Sequence, residues 1–107
     1  MSSDESEAVK LFLNGFFSVK VAYFNEVNAL ASRLDLNWDN ILKGLLSDGR
    51  VAHSHTQVPG PDGKFGFGGT CLPKDLANLV HCLESNGCMA QVTYAALLRN
   101  HQDRERK

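Results

Sequence analysis

A chain of 107 residues has the size of one domain and can bury a modest core without disulfides or metals. Its 43% hydrophobic and 21% charged residues are ordinary for a globular fold, and a net charge of -1 gives no reason to expect nucleic acid or an anionic membrane as partner. No apolar run reaches the length of a membrane span, and the opening Met1-Ser2-Ser3-Asp4-Glu5 is acidic where a secretory signal is basic, so the cytoplasm is the expected compartment. The three cysteines, Cys71, Cys82 and Cys88, form no CxxC pair. Neither a disulfide framework nor a structural zinc site is expected, and all three should be free thiols.

In chain order, residues 1–6 are polar and expected to be disordered. Ser6 is a candidate helix cap, with Glu7 in the first turn. From Glu7 to about Leu34 only Gly15 interrupts a helical pattern, which predicts one helix of roughly 42 Å at about 1.5 Å per residue. Its apolar residues, among them Leu11, Phe12, Phe16, Phe17, Val21, Phe24 and Leu30, cover most of the circumference. A helix apolar nearly all round is buried on several sides. A chain this short has trouble surrounding it, so a partner is expected to cover part of it. Asn37 can cap a second helix carrying Trp38, Ile41, Leu42, Leu45 and Leu46, with Ser47-Asp48-Gly49 as its end.

Residues 50–70 have little periodicity and are rich in glycine and proline, as functional or disordered loops are. Pro73 suits the first turn of a third helix carrying Leu76, Leu79, Val80 and Leu83, and Asn86-Gly87 closes it. A fourth helix begins near Ala90 and carries Val92, Ala95, Leu97 and Leu98. The charged tail from His101 to Lys107 is expected to be solvated. No strand and no repeat is predicted. The class is all-α, with a long central helix packed by shorter ones and residues 7–107 as a single helical domain.

The chemistry concentrates in Gly68-Gly69-Thr70-Cys71-Leu72-Pro73-Lys74-Asp75. Cys71 lies just before a predicted helix start, where free backbone N–H groups and the helix dipole favour an anion. The preceding glycines let a ligand approach the backbone closely. Asp75 is one turn on and can face the same cleft as a proton acceptor or water-orienting group. The plain alternative is a small cysteine beside an ordinary loop, but the glycine-rich approach and the helix start favour a reactive thiol. Cys82 and Cys88 read as small core or surface residues.

On the long helix Lys10 and Asn14 are four apart and share a face, to which Asn25 returns about three turns later. Lys10 either snorkels to solvent or lines a cleft as a cation that stabilises developing negative charge. Phe65-Gly66-Phe67-Gly68-Gly69 is not a dinucleotide fingerprint, no strand precedes it, and Lys74 is not placed as in a phosphate-binding loop. His53 and His55 form an HxH pair that reads as solvated or loop-pinning, since no further metal ligands accompany it.

Together these residues resemble the UDP-glucose/GDP-mannose dehydrogenase family in its central domain, over about Glu7 to Gly87. The strongest piece is Pro59-Gly60-Pro61-Asp62-Gly63 with Phe65-Gly66-Phe67-Gly68-Gly69-Thr70-Cys71-Leu72-Pro73-Lys74-Asp75, similar to the family's glycine-rich cysteine signature. Lys10-Leu11-Phe12-Leu13-Asn14 with Asn25-Glu26 is similar to its lysine-asparagine helix, and Asp48-Gly49-Arg50-Val51 to its Asp-x-Arg turn. Leu72 departs from the pattern, standing where aromatic residues are common.

The resemblance implies a helical fold like the C-terminal domain of 6-phosphogluconate dehydrogenase, dimerised through the long helix. It implies oxidation of a UDP-sugar's C6 alcohol to a carboxylate in two hydride transfers to NAD. Cys71 would be the nucleophile, passing through a thiohemiacetal and a thioester. Lys10 and Asn14 would hold the substrate oxygen, and Asp75 would position the lysine or the hydrolytic water. Arg50 would reach the sugar nucleotide, in many members across a dimer interface. Phe65, Gly66, Phe67, Gly68 and Gly69 would line the sugar pocket, with Lys74 beside them.

Complete members carry an NAD-binding domain before this region and a nucleotide-sugar-binding domain after it. Neither is within these residues, so no cofactor is expected on this chain alone and no NAD-dependent turnover. The alternatives are a non-enzymatic homodimerisation module, a partner of a full-length dehydrogenase, or a helical redox sensor. The last would need a resolving cysteine near Cys71.

Overall fold

The computed structural model describes all residues, 1–107. Four helices form and no strand: α1 (Ser3–Arg33), α2 (Trp38–Ser47), α3 (Cys71–Ser85) and α4 (Gln91–Glu105). The first is the axis of the molecule. At about 1.5 Å rise per residue, its 31 residues match the longest dimension of the domain, 46 Å.

α1 starts earlier than its sequence pattern indicates. Ser2, not Ser6, is the cap: its hydroxyl accepts from Glu5 N at 3.1 Å while the Glu5 carboxylate accepts from Ser2 N at 2.9 Å. This reciprocal capping box brings residues 3–6 into the first helical turn rather than leaving them irregular. The other boundaries follow local signals. Asn37 caps α2 by accepting from Asn40 N at 3.0 Å. Gly87, at φ 74°, ends α3 with Cys88 N donating to Leu83 O at 2.8 Å and Gly87 N to Glu84 O at 3.2 Å.

α3 and α4 pack on α1, and α2 packs on it least. The core between them is Val21 and Ala22 of α1, Leu76 of α3, Ala96 of α4 and Phe67 of the long loop, flanked by Val19, Leu72 and Leu97. At the α1–α3 crossing Gly15 is buried, and a Cβ there would lie 2.5 Å from Leu79 Cδ2. The absence of that methyl lets the two helices close on each other.

The other side of α1 is bare. Val9, Phe12, Leu13, Phe16, Tyr23 and Leu30 are exposed, with Phe16 60% and Leu30 58% accessible. Val9, Phe16, Tyr23 and Leu30 recur every seventh residue and so form a stripe along one face. The all-round apolar pattern therefore resolves into two faces, one packed on α3 and α4 and one open. No helix is long and apolar enough to cross a membrane.

The end of the chain corrects a sequence expectation. Residues 101–105 continue α4 rather than forming a solvated tail. Asp103 is 1% exposed and accepts from Arg99 Nε at 3.1 Å. Arg104 and Arg106 are half-buried against the long loop. Charged residues pack here because each finds a partner: Arg104 donates to Asp62 at 2.9 Å and to Phe65 O at 3.3 Å, and Arg106 to Asn28 at 3.0 Å. The Arg106 guanidinium also lies 3.9 Å from the centre of the Phe65 ring.

Candidate functional site

The helix pairing brings two of the sequence-predicted polar residues into direct contact. Asn14 Nδ2 of α1 donates to Asp75 Oδ2 of α3 at 2.6 Å. Both are half-buried, and they are 61 positions apart in the chain. Cys71 is the first residue of α3, one turn before Asp75, so the thiol and the carboxylate occupy one helix face. Lys10, one turn before Asn14, lines a shared hollow with Asp75 and Asn78. Lysine, amide and carboxylate thus belong to one seam between two packed helices, with the thiol one turn from the carboxylate at the start of α3.

Cys71 is exposed, and its sulfur makes one long contact with the Thr70 hydroxyl at 4.0 Å. Thr70, the residue before α3, makes no side-chain cap, which leaves the first backbone N–H groups of the helix open toward this end. Cys82 and Cys88 are also exposed but lie at the far end of α3 and just beyond it.

The glycine loop is held in place by two asparagines. Asn25, 1% exposed, donates to Val21 O at 2.8 Å and accepts from Gly66 N at 2.9 Å. Asn100 of α4 accepts from Phe67 N at 2.7 Å and donates to Phe67 O at 2.9 Å. Asn25 does share the α1 face of Asn14, but three turns along it serves the loop rather than the Asn14–Asp75 contact. Gly66 has φ 78°, and a Cβ there would collide with the Asn100 carboxamide; one on Gly68 would strike the Arg104 guanidinium. Backbone rather than side chains therefore forms this wall of the site.

Behind the glycine loop lies a hollow of about 610 Å³, floored by Val21, Phe67 and Leu72 and walled by Gly60, Gly66, Gly68 and Gly69; Leu72 reaches it, whereas Cys71 does not line it. Its other wall is the strap His53-Ser54-His55 with Gln57. Within the strap the Thr56 hydroxyl donates to His53 O at 2.7 Å, and Lys20 Nζ donates to Ala52 O at 2.8 Å. The His55 ring stacks on Phe17 at 4.3 Å between centroids and 7° between planes. His55 remains exposed; partial desolvation where its ring covers Phe17, and then the nearby Lys20 charge, lower its pKa and favour the neutral imidazole.

The remaining predicted residues stand apart. Arg50 lies at the end of α2, its side chain 90% exposed, in a forked pair with Asp48 at 2.7 and 3.0 Å. The guanidinium hydrogen bonds hold the Asp48 carboxyl down at about 2. Lys74 is exposed and forms no salt bridge. Phe65 faces Arg106 and a second hollow bordered by Trp38 and Asn28, away from Cys71. Sequence reasoning did not find Asn100, Arg104 or the His55–Phe17 stack. Asn100 and Arg104 lie over 30 residues from the loop they hold, and nothing local marks them.

Comparison with known proteins agrees with this architecture. Residues 4–102 match the model of the UDP-glucose/GDP-mannose dehydrogenase family, central domain. The chain is 41% identical over 80 residues to a UDP-glucose 6-dehydrogenase of Campylobacter jejuni, covering 75% of this chain and 19% of that protein. It is 30% identical over 105 residues to one of Pseudomonas aeruginosa, covering 98% of this chain and 22% of that protein. A third, from Streptococcus pneumoniae, is 37% identical over 76 residues, 71% of this chain and 18% of that protein. The chain therefore spans about a fifth of the length of the curated relatives it matches. The match over nearly the whole chain means that it belongs to the UDP-glucose/GDP-mannose dehydrogenase family, as the central domain.

Proposed function

We propose that this chain supplies the covalent and substrate-holding part of a nucleotide-sugar 6-dehydrogenase acting on a UDP-sugar, with Cys71 as the nucleophile. The observation that carries this reading is the seam itself: a thiol at an open helix start, one turn from a carboxylate bonded at 2.6 Å to an amide of the facing helix. A domain serving only to dimerise has no use for that arrangement.

NAD, the hydride acceptor of the complete enzyme, has no fitting site among these residues. There is no strand to open a dinucleotide fold, and the Gly66 and Phe67 N–H groups are already taken by Asn25 and Asn100. The two hydride removals therefore belong with the rest of the enzyme, and this chain contributes the covalent chemistry. The Cys71 sulfur adds to the aldehyde carbon at C6, forming the C–S bond as the carbonyl electron pair moves onto oxygen. On this reading Lys10 and Asn14, which neighbour Asp75 on the facing helix, donate to that charge. After oxidation to the thioester, water adds to the same carbon, the C–S bond breaks and the thiolate returns as the acid is released. Asp75, fixed by Asn14, is placed to orient that water or Lys10.

Arg50 is held at the surface by Asp48 and is 90% exposed, which suits a role at the site of a second copy. The open stripe of α1 suits the same arrangement: a homodimer through the long helix, with each Arg50 turned to its neighbour. On this reading the isolated chain forms no NADH from NAD and UDP-glucose.

The test is an NMR titration of the purified chain with UDP-glucose. Saturable shifts at Cys71, Lys10 and the 65–70 loop are expected. A folded dimer whose amides do not move up to millimolar ligand refutes a preformed site and leaves the dimerisation module as the better reading.

A further inference from the structure

Arg104 meets the glycine loop from the α4 side. Its Nη2 donates to the Asp62 carboxylate at 2.9 Å and its Nη1 to Phe65 O at 3.3 Å. Its stem lies against Gly66, where an added Cβ would stand 3.2 Å from Cδ. Its guanidinium lies against Gly68, where an added Cβ would collide with Nη2. The side chain is only 26% exposed, yet it does not line the hollow. Its pair with the more exposed Asp62 adds little stability of its own. What the pair does is aim the guanidinium, a planar fork that offers the loop a flat face.

Beyond Gly68 the chain runs untied to the thiol. No hydrogen bond joins Gly68, Gly69 or Thr70 to another element, and Thr70 makes no side-chain cap on α3. Gly69 and Thr70 are exposed, and a Cβ on Gly69 would meet nothing within 4 Å. Asn25 and Asn100 secure Gly66 and Phe67 and reach no further. The contact of Arg104 with Gly68 is therefore the last anchor of the loop before Cys71.

Resting on the reading of Cys71 as the nucleophile, we propose that Arg104 is a positioning residue for it. The guanidinium fixes where the Gly68 backbone stands, and through Gly69 and Thr70 it fixes how the first turn of α3 presents the thiol. It acts through the backbone and takes no part in the covalent steps. Without it the loop sinks into the space the guanidinium leaves, and the start of α3 frays. A thiol at a helix start owes part of its reactivity to the free N–H groups there, so Cys71 slows.

The experiment alkylates the whole chain with iodoacetamide at one pH and reads each cysteine by peptide mass spectrometry. Cys82 and Cys88, also exposed, are references within the same molecule. Arg104→Ala should slow Cys71 about threefold and leave the other two unchanged. Amide shifts should centre on residues 66–71. Tens of millimolar guanidinium should restore both the rate and the shifts, because the ion fits between Asp62 and Phe65 O; equal sodium chloride should not. A domain that was merely weakened would be loosened further by guanidinium, a denaturant, so recovery separates positioning from stability. Arg104→Lys keeps a charge for Asp62 without the flat fork, and its Cys71 should also remain slow, which serves if the alanine variant does not fold. Wild-type alkylation of Cys71 in either folded variant, or a slowed Cys71 that guanidinium does not restore, overturns the assignment of Arg104 and leaves the proposed function standing. A wild-type Cys71 that reacts no faster than Cys82 and Cys88 overturns both.

Discussion

Replacing Asn100 with alanine tests whether α4 holds the glycine loop. Asn100 is 9% exposed and makes two hydrogen bonds to one residue, accepting from Phe67 N at 2.7 Å and donating to Phe67 O at 2.9 Å. Phe67 is itself buried in the core. The truncation leaves a buried N–H and a buried C=O without partners, each costing about 1–3 kcal/mol. Some of this is recovered by water entering the space, so a net loss of about 3 kcal/mol is expected. For a domain of this size that corresponds to a fall in Tm of roughly 12–24 °C. Urea unfolding followed by far-UV circular dichroism measures it, with an unchanged slope showing that the loss is of stability rather than of compactness. Amide exchange adds the local test: the Phe67 N–H should exchange faster while Leu76 and Leu79 keep their protection up to the lowered global stability. A loss below about 0.5 kcal/mol, or a Phe67 amide no faster than in the wild type, would refute the clamp.

Three further outcomes are expected. Gly66→Ala should cost about 2 kcal/mol more than Gly63→Ala in a thermal melt, since both sit near φ 78° but only at Gly66 does a methyl meet Asn100 and Asp103. Equal losses would show that backbone strain alone matters. The Asp48 carboxyl, held at about 2 by Arg50, should titrate by NMR near that value and return toward 3.8 in Arg50→Gln. A carboxyl whose pKa is depressed on folding favours the folded state above its unfolded pKa, so this small contribution is complete above about pH 4 and fades as pH falls through about 2. Phe16→Glu on the open stripe should convert a dimer into a folded monomer in analytical ultracentrifugation, whereas Phe16→Leu should not; a wild-type chain that sediments as a monomer at high concentration would remove the dimer from the proposal.

The helices were legible because their signals are local. Asn37, Asn86-Gly87 and the turn spacings all act within a few residues. Cys71 with Asp75, and Lys10 with Asn14, were legible for the same reason, being one turn apart on single helices. What joins the two pairs was not. The Asn14–Asp75 bond depends on the register in which α1 meets α3, and local spacing carries no information about it. The tail failed differently: Asn100, Asp103 and Arg104 have the composition of a solvated helix end, and only the loop folded over them supplies their partners. The start of α1 was misplaced because two serines compete as caps, and the carboxylate three residues after Ser2 decides between them.

Gly15 has a consequence for how the domain tolerates change. It is the immediate neighbour of Asn14, and its missing methyl sets how near α1 comes to Leu79. The residue that sets the gap between the helices and the residue that bridges it are thus adjacent on one backbone. A larger side chain at position 15 acts as a shim: widening the crossing by even an ångström lengthens the 2.6 Å bond from Asn14 to Asp75 beyond useful range while every other residue of the seam is still present. Such a variant would pass every check on composition and fold, and its defect would lie in a distance alone.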